Sequence, residues 1–530
     1  MPRRNKRKHK GAEPGTLGAG GGKGGPGENW GGEHMRQAPR PLIAVNPDRT
    51  LIAVAFGTEV RVFDTESGAL ATLESTCAFD AAAAAAREGG ADAPDASRWH
   101  TDAIRALRFD STGASMCTAG DDKLARVWQV GKATGLRFDS TGASGASGSV
   151  APRTLTCVRC ARLPKKACAA AFAAGGAVAA FADKFGDVHG LPVTVTDRKH
   201  TKAHGGAAAP AEMDEPTYLF GHCCSIITDA CAPCSAEENA AHSLLATADR
   251  DFKIRVARLP KDVATILDPA VGVPEIQSFC HGHAAFVACV AAVPAGEKRA
   301  RIVSGGGDGA ARLWRCEDGA ALGAVTLAAP RARPEGDATA ATAATAEDTG
   351  ILNPDDAEKK KEDVIASGEA PREAVDAPAV VAVAVAASGV AYAAVENRPG
   401  ELAELRVRDD ALELVRWVPL PDGIDSVPAG LHYDETRGEL LGVCEKTRPD
   451  GNAEAALFFA FARDGGEKNA DAGDAARALA VPGMDPGDGA RPGVSLGDAM
   501  RKRGYDEQKR EARKMQRKDF KSGGASLSNA

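Results

Sequence analysis

Serine, histidine and aspartate residues recur along this chain at spacings that could support nucleophilic chemistry. His283 is followed by Ser304 and Asp308, the three residue types of a hydrolytic triad. Two other segments carry the same pattern with threonine in place of serine: His100, Thr118 and Asp122, and His222, Thr247 and Asp251. A catalytic triad would not recur in successive segments, so the repetition favours a structural role. We therefore expect none of these residues to be catalytic.

A tryptophan at a fixed distance completes the pattern. Trp128 and Trp314 each follow the aspartate by six residues, and Ala257 occupies this place in the remaining segment. Repeats of about 40–45 residues with this signature are typical of WD-repeat blades, which are four-stranded sheets. In a blade the aspartate would bind the histidine, the histidine the hydroxyl, and the hydroxyl the indole N–H. Every buried polar atom of this structural network would then have a partner.

Seven segments show the apolar alternation expected of such blades. They lie at residues 41–68, 99–130, 165–193, 216–260, 276–325, 377–407 and 430–462. The sequence therefore predicts an all-β fold, a seven-bladed WD-repeat β-propeller. We expect residues 41–46 to close the ring as the outer strand of the last blade, because this would remove an exposed sheet edge.

Differences in amino-acid composition divide the chain into the propeller and the segments before and after it. The predicted units are a disordered basic and Gly-rich arm at 1–40, the propeller at 41–463, a linker at 464–497 and a basic helical tail at 498–530. Long loop insertions are expected within the propeller at 76–98, 131–152, 196–215 and 326–371. The sequence LRFDSTGAS at 107–115 recurs at 136–144, where we expect the second copy to be disordered.

Charge is distributed unevenly. The chain has a net charge of −7, yet residues 1–10 carry six Lys or Arg and no acid, and residues 501–521 carry ten against four acids. Basic ends on an acidic body suggest contact with RNA or an acidic partner. Residues 3–10 are equally compatible with a nuclear-localisation signal, and the tail with a solubilising helix. The candidate RNA-binding residues are Arg501, Lys502, Arg503, Lys509, Arg510, Arg513, Lys514, Arg517 and Lys518.

Cysteines offer a possible metal site, which we consider the weaker interpretation. Two C-x-x-C pairs, Cys157/Cys160 and Cys231/Cys234, could form a four-cysteine zinc site, but they fall in different blades. Thiols packed on strands account for them better, so we expect no metal and no disulfide framework.

The sequence contains neither a long uncharged apolar run nor an apolar segment behind its N-terminal charges, so we expect an intracellular protein. With the basic residues 3–10 as a localisation signal, we expect it in the nucleus, with the cytoplasm as a second location.

Motifs in two of the predicted blades are more specific than the general WD-repeat pattern. FADKFGDVHGL at 181–191, and LLATADRDFKIRV at 244–256 with SFCHGHAAFV at 278–287, resemble the non-catalytic WD-repeat subunit of the eukaryotic tRNA (guanine-N7) methyltransferase. The resemblance implies a protein without cofactor that forms a heterodimer with a Rossmann-fold catalytic subunit, which binds S-adenosylmethionine. It also implies that the complex binds tRNA and methylates a guanine of the variable loop. His189 and Gly190 depart from the family, which usually has an aromatic and a small polar residue there.

The predicted partner-binding residues follow from these motifs. Arg250, Asp251, Lys253 and Arg255 lie on or beside one turn, and three cations around one acid favour an interface over a solvated edge. The resemblance implies that Arg255 pairs with an acidic residue of the catalytic subunit. Asp251 could instead bind His222 in the polar network of its own blade. Lys184 is a further predicted partner contact, ranked below the other four.

Two other functions remain open. One is a general WD-repeat scaffold in an RNA or ribosome-assembly complex, with basic ends that bind RNA. The other is an enzyme in its own right, which the absence of an alternating βαβ pattern in the sequence disfavours.

Overall fold

The chain forms β-sheets almost throughout the part that the structure describes. The computed structural model describes residues 37–75, 77, 99–131, 152–193, 213–223, 225–233, 242–260, 262–268, 275–294, 299–328, 377–420, 424, 426–435, 438–447, 453–461, 476–480 and 500. None of the helices in these ranges is both long and apolar enough to cross a membrane.

The first three sheets follow one another along the chain. Sheet 1 contains β1 (Leu42–Val45), β2 (Leu51–Phe56), β3 (Glu59–Asp64) and β4 (Ala69–Leu70). Sheet 2 contains β5 (Thr72–Ser75), β6 (Ile104–Phe109), β7 (Ser115–Gly120), β8 (Leu124–Val130) and β9 (Thr154–Arg162). Sheet 3 contains β10 (Ala167–Ala173), β11 (Val178–Asp183), β12 (Asp187–Pro192) and β13 (Thr217–Gly221), with a short 3-10 turn at Ala174–Gly176.

The remaining four sheets repeat the arrangement. Sheet 4 contains β14 (Ile227–Cys231), β15 (His242–Asp249), β16 (Lys253–Pro260) and β17 (Glu275–His281), with the short helix α1 (Val263–Ile266) before β17. Sheet 5 contains β18 (Val287–Ala292), β19 (Arg301–Gly306), β20 (Ala310–Arg315) and β21 (Ala321–Thr326). Sheet 6 contains β22 (Val380–Val385), β23 (Val390–Val395), β24 (Glu401–Val407) and β25 (Leu412–Pro419). Sheet 7 contains β26 (Gly430–Asp434), β27 (Glu439–Thr447), β28 (Ala453–Phe461) and β29 (Ala476–Ala480).

These sheets are arranged as a β-propeller. The first antiparallel strand of each sheet lies nearest the centre, successive innermost strands are neighbours, and β26 is a neighbour of β1. The innermost strands surround a central cavity of about 640 Å3. Apolar side chains between neighbouring sheets form the core; for example, Ile254 and Val256 of sheet 4 pack with Val287, Ile302 and Trp314 of sheet 5. Many inner-strand residues are alanines, whose small side chains suit the narrow centre of the ring.

The prediction of seven regular blades requires a correction. Among the described residues, six sheets have the regular four-stranded form, whereas sheet 2 has five strands. The additional strand, β5, pairs in parallel with β9 through Thr72↔Thr154 to Ser75↔Cys157. The chain leaves the two-residue strand β4 and immediately covers the outer edge of the next sheet, which satisfies backbone groups that an edge would expose.

The predicted closure is wrong. Residues 42–45 form the innermost strand of sheet 1, paired with β2, and sheet 7 obtains its outer strand from β29. This strand lies inside the predicted linker, so the propeller extends past residue 463. Sheets 1 and 7 meet through side chains instead, with Ile43 and Val54 in one apolar cluster with Leu441 and Val443.

Two of the seven predicted blade segments are also shifted by one strand. The segments 216–260 and 276–325 begin with β13 and β17, which are the outer strands of sheets 3 and 4 rather than members of the following sheets. The sequence repeat begins at an outer strand, whereas the sheet begins at the next inner strand. Nearly all of the predicted insertions, residues 1–36 of the predicted arm 1–40 and the second LRFDSTGAS copy lie outside the described residues. Residues 37–40 of that arm are placed, and Arg105 donates to Gln37 O and Ala38 O.

Candidate partner-binding surface

The predicted polar network forms in full in sheets 2 and 5. In sheet 2, His100 Nδ1 lies 2.9 Å from Asp122 Oδ2, and its Nε2 lies 2.9 Å from Thr118 Oγ1. Trp128 Nε1 donates to the same Thr118 oxygen at 3.1 Å. In sheet 5 the corresponding distances are 3.0 Å for His283–Asp308, 2.8 Å for His283–Ser304 and 2.7 Å for Trp314–Ser304. These hydroxyls are fully buried and bound by two rings, an arrangement that positions blades and leaves no exposed nucleophile.

Sheet 4 uses a different aspartate from the one predicted. His222 contacts Thr247 Oγ1 at 2.7 Å, but its Nδ1 lies 3.0 Å from Asp249 Oδ2 rather than beside Asp251. Asp249 is fully buried at the end of β15 and also accepts the backbone N–H of Lys253 at 3.0 Å. The Asp249 carboxylate is thus buried beneath the turn, whereas Asp251 lies half-buried in the turn itself. Asp251 is therefore not the network aspartate of this sheet.

Loops and turns of sheets 3 and 4 lie side by side at one edge of the propeller. The turn between β11 and β12 bonds to the preceding loop through Lys184 N–H and Lys166 O, at 2.9 Å. The equivalent bond in sheet 4 joins Arg250 N–H to Ile226 O, also at 2.9 Å. A bond of 2.8 Å from His222 N–H to Gly186 O then connects sheet 3 to the loop that enters sheet 4. The two family motifs are thus parts of one continuous edge.

Arg255 is placed differently from the other predicted cations. Its side chain projects from β16 toward sheet 3, where Nη1 donates to Gly221 O at 2.9 Å and the guanidinium lies 4.4 Å from the Phe220 ring centre. Only 7% of the residue is exposed, and burial lowers its pKa, with Tyr218 acting in the opposite direction. Arg255 therefore joins sheets 3 and 4, and little of it is available to a second protein.

The other predicted residues are more accessible. Lys184, Arg250, Asp251 and Lys253 are each half-buried at the edge where the turns lie. Lys253 opposes His281 across β16 and β17, and His281 is exposed beside Phe279, with ring centres 5.7 Å apart. Lys253 therefore lies opposite an exposed histidine ring that is next to Phe279.

Large apolar side chains that the sequence analysis missed are exposed in the same region. Phe185 is 60% exposed in the β11–β12 turn, Tyr218 is 49% exposed on β13, and Phe279 is 39% exposed on β17. The Lys165 ammonium lies 4.4 Å from the Phe185 ring centre. We call Lys184, Phe185, Tyr218, Lys253 and Phe279 the sheet 3–4 rim. Exposed aromatic residues beside cations are the composition of protein interfaces, and Phe185 within FADKFGDV was a signal for it.

The predicted RNA-binding residues Arg501 to Lys518 lie outside the described residues, as do residues 3–10. Met500, immediately before them, is buried against Tyr392 and Tyr433 of sheets 6 and 7. Met500 therefore belongs to the apolar core between these two sheets.

The described cysteines of the two C-x-x-C pairs lie in separate sheets. Cys157 and Cys160 lie in β9 of sheet 2 and Cys231 lies in β14 of sheet 4, while Cys234 lies outside the described residues. Most of the described cysteines are buried thiols; burial raises the pKa of Cys117 to about 12. Such thiols behave as small apolar side chains.

Comparisons with known proteins agree with the fold and with the motifs. Residues 97–129 match the WD domain, G-beta repeat, and residues 197–369 match the tRNA methyltransferase TRM82 WD40 domain. A Dictyostelium discoideum protein, the tRNA (guanine-N(7)-)-methyltransferase non-catalytic subunit wdr4, is 23% identical over 294 residues, covering 55% of this chain and 50% of that one. The Aspergillus clavatus subunit trm82 is 26% identical over 277 residues, covering 44% and 49%. A shorter match to the Xenopus laevis wdr4 subunit is 42% identical over 82 residues, covering 15% and 17%.

The sheets and the buried networks define a WD-repeat β-propeller protein. The chain spans about half the length of two of the curated relatives and less of the third. The resemblance stated from residues 181–191 and 244–256 is confirmed: the matched family model is that of the TRM82 WD40 domain, and the curated relatives are named as non-catalytic subunits of tRNA (guanine-N7) methyltransferase.

Proposed function

We propose that this protein is a non-catalytic subunit that binds a Rossmann-fold tRNA methyltransferase and supports N7-methylation of a guanine in the tRNA variable loop. S-adenosylmethionine would be bound by the catalytic subunit, and the two chains would form a heterodimer. The observation that carries the proposal is the sheet 3–4 rim, where exposed aromatic residues and cations lie in or beside the family motifs, and where Tyr218, Lys253 and Phe279 also fall within the matched range 197–369.

The contact is assigned to the rim because of what each side chain can contribute. Phe185, Tyr218 and Phe279 offer apolar area that a partner would remove from water. Lys184 and Lys253 would face acidic residues of the catalytic subunit and orient the encounter. Arg255 acts indirectly, because its bond to Gly221 holds sheet 3 beside sheet 4.

A binding experiment tests the rim. This chain and the tRNA (guanine-N7) methyltransferase catalytic subunit of the same cell are purified, and Kd is measured by calorimetry for the wild type and for Phe279→Ser. Loss of an interface anchor costs roughly 2 kcal/mol or more, or about 30-fold in Kd. The matched control is Leu414→Ser, since Leu414 is also 39% exposed but lies on sheet 6.

The result separates the proposed function from the alternatives. Weaker binding by Phe279→Ser with no change for Leu414→Ser supports the rim, and equal effects would overturn it. Failure of the wild-type chain to bind the catalytic subunit, with capture of an RNA assembly in its place, would establish the scaffold function. Turnover of tRNA and methyl donor by this chain alone would show that it is an enzyme.

We further propose that the basic residues 3–10 direct the protein to the nucleus. Replacement of the six Lys and Arg residues of this segment by Gln should move a fluorescent fusion from the nucleus to the cytoplasm. A nuclear signal that is unchanged by the replacement would remove this role from the segment.

A further inference from the structure

The turn of sheet 3 carries a buried aspartate that lacks the histidine found in sheets 2, 4 and 5. Asp183 ends β11 and is fully buried, and its Oδ1 accepts the backbone N–H groups of Phe185 at 2.8 Å and Asp187 at 3.2 Å. The loop before β10 has Leu163 at the position where the corresponding loops of the other three sheets have a histidine, and Leu163 bonds through its N–H to Lys123 O as His222 does to Gly186 O. The second oxygen of Asp183 is therefore not used as it is in those sheets.

A histidine from another position faces this oxygen. His189 lies in β12, opposite Phe181 on one side and Tyr218 on the other, and is 5% exposed. Its Nε2 and Asp183 Oδ2 are both buried without a hydrogen-bond partner among the described residues, and they are 3.6 Å apart. Asp187 lies at the start of the same strand, and one ligand atom from each of the three residues lies within 4.8 Å of the other two.

The separation is too long for a hydrogen bond, yet it suits two ligands of one metal ion. Ligands that are each about 2.0–2.2 Å from a tetrahedral Zn2+ lie roughly 3.4 Å from one another. One imidazole with two carboxylates is a donor set that favours Zn2+ over the hard cations Mg2+ and Ca2+, which prefer oxygen alone. The two carboxylates would also neutralise the charge of the ion.

We propose that Asp183, Asp187 and His189 bind a Zn2+ ion, with the fourth coordination position open to water on the side of half-buried Asp187. The site would fix the turn that carries Lys184 and Phe185. It involves only residues of sheet 3 and does not depend on the proposed function.

Cobalt provides a direct probe of the site. The full-length protein is freed of metal with a chelator, and Co2+ is added while visible absorption is recorded, followed by displacement with Zn2+. We expect d–d bands of a four-coordinate Co2+ ion with nitrogen and oxygen ligands, which saturate at one ion per chain and disappear when Zn2+ is added. His189→Phe should lose these bands, because it removes a ligand while keeping a ring against Tyr218.

Two further variants make the test independent of folding. Asp187→Asn removes a ligand at a half-buried position and should also lose the bands. His242→Phe changes an exposed histidine at the start of β15 and should keep them. Zn2+ should raise the melting temperature of the wild type and of His242→Phe, but not that of His189→Phe or Asp187→Asn. Absence of the bands in the wild type, or bands of equal intensity in His189→Phe, would overturn the proposal.

Discussion

The hydroxyl groups of Thr118 and Thr247 differ by one ring partner, and this difference can be measured. Thr118 is bound by His100 and Trp128, whereas the ring bound to Thr247 is His222. Replacing each threonine by valine keeps the shape of the side chain and leaves its ring partners without the hydroxyl. A buried polar group that loses its partner costs about 1–3 kcal/mol. We therefore expect Thr118→Val to lower the free energy of unfolding by about 1–3 kcal/mol more than Thr247→Val, measured by urea denaturation. Equal losses would mean that the indole bond contributes nothing.

Asp308 should make the stability of the protein depend on pH. Burial alone would raise its pKa, but the bond from His283 and the N–H of Ala284 outweigh burial and lower the pKa to about 2. The folded-state pKa is below the unfolded value of about 3.9, so the contribution is complete above that pH and is lost as the pH falls through about 2. Asp308→Asn should cost about 2 kcal/mol at pH 7, and its difference from the wild type should vanish near pH 2.

An exposed carboxylate provides the control for this profile. The bond from Arg315 lowers the pKa of Asp318 to about 2 as well, but this pair lies at the surface. Solvent and salt screen exposed pairs, so Asp318→Asn should leave the unfolding free energy unchanged across the same pH range at moderate salt. A pH profile of Asp308→Asn that is parallel to the wild type would contradict the assignment.

At the level of the sheets, a buried ion cluster joins the two ends of the ring. Arg49, in the turn between β1 and β2, has a left-handed backbone with φ of 56°. Its Nη1 lies 3.0 Å from Asp434 Oδ2 and also contacts Glu439, so that sheet 1 is bound to the β26–β27 turn of sheet 7. All three residues are at most 5% exposed. The ring is thus closed by ionic and apolar side-chain contacts and not by a shared strand.

Removing the arginine should open this closure. Arg49→Met leaves two neighbouring carboxylates buried without their cation, and breaking a buried pair in this way costs about 3–5 kcal/mol. We expect a loss of this size in urea denaturation and faster proteolysis. Additional replacement of Asp434 by Asn and Glu439 by Gln should restore part of the loss. Arg315→Met, at an exposed pair, is the control, and an effect as small as that of the control would show that closure does not depend on this cluster.

Particular elements show how far the sequence could predict this architecture. The repeats identified the strands and both complete networks, because the spacing of His, Thr or Ser, Asp and Trp is local and encodes buried hydrogen bonds directly. The closure could not be predicted, since whether residues 42–45 pair with β2 or with β28, more than 400 positions away, depends on long-range geometry. β29 was missed because Ala476–Ala480 has few apolar residues larger than alanine and lies in a segment that resembles a linker.

The candidate surface was predicted in part for similar reasons. The motifs indicated the edge at which the sheet 3–4 rim lies, and the structure places Lys184 and Lys253 in this rim. Arg255 was expected to face a partner, but alternation along β16 directs it toward Phe220 of sheet 3. Asp251 was predicted as the partner of His222, but Asp249 is the partner in the structure. Both aspartates follow Thr247 closely, and only the fold determines which carboxylate lies beneath the turn. Exposure of Tyr218 and Phe279 depends on their outer strands, which the repeat assigned to the wrong sheets.

For the whole molecule, the uneven charge leads to a prediction about RNA. The acidic body would repel the tRNA backbone, whereas residues 501–521 carry ten Lys or Arg and four acids. If these residues contact phosphates in the complex with the catalytic subunit, each contact releases counterions and contributes about 0.9 to the slope of log K against log salt on a duplex. Removal of residues 501–530 should therefore weaken tRNA binding at low salt and reduce the slope by about 0.9 per lost contact.

Two variants separate charge from chain length in this measurement. Removal of residues 522–530, which contain no charged residue, should leave both the affinity and the slope unchanged. A full-length chain with the ten Lys and Arg residues replaced by Gln should behave like the longer deletion. Slopes that are equal with and without the ten cations would mean that the tail does not contact phosphate, and RNA binding would then belong to the catalytic subunit or to the propeller.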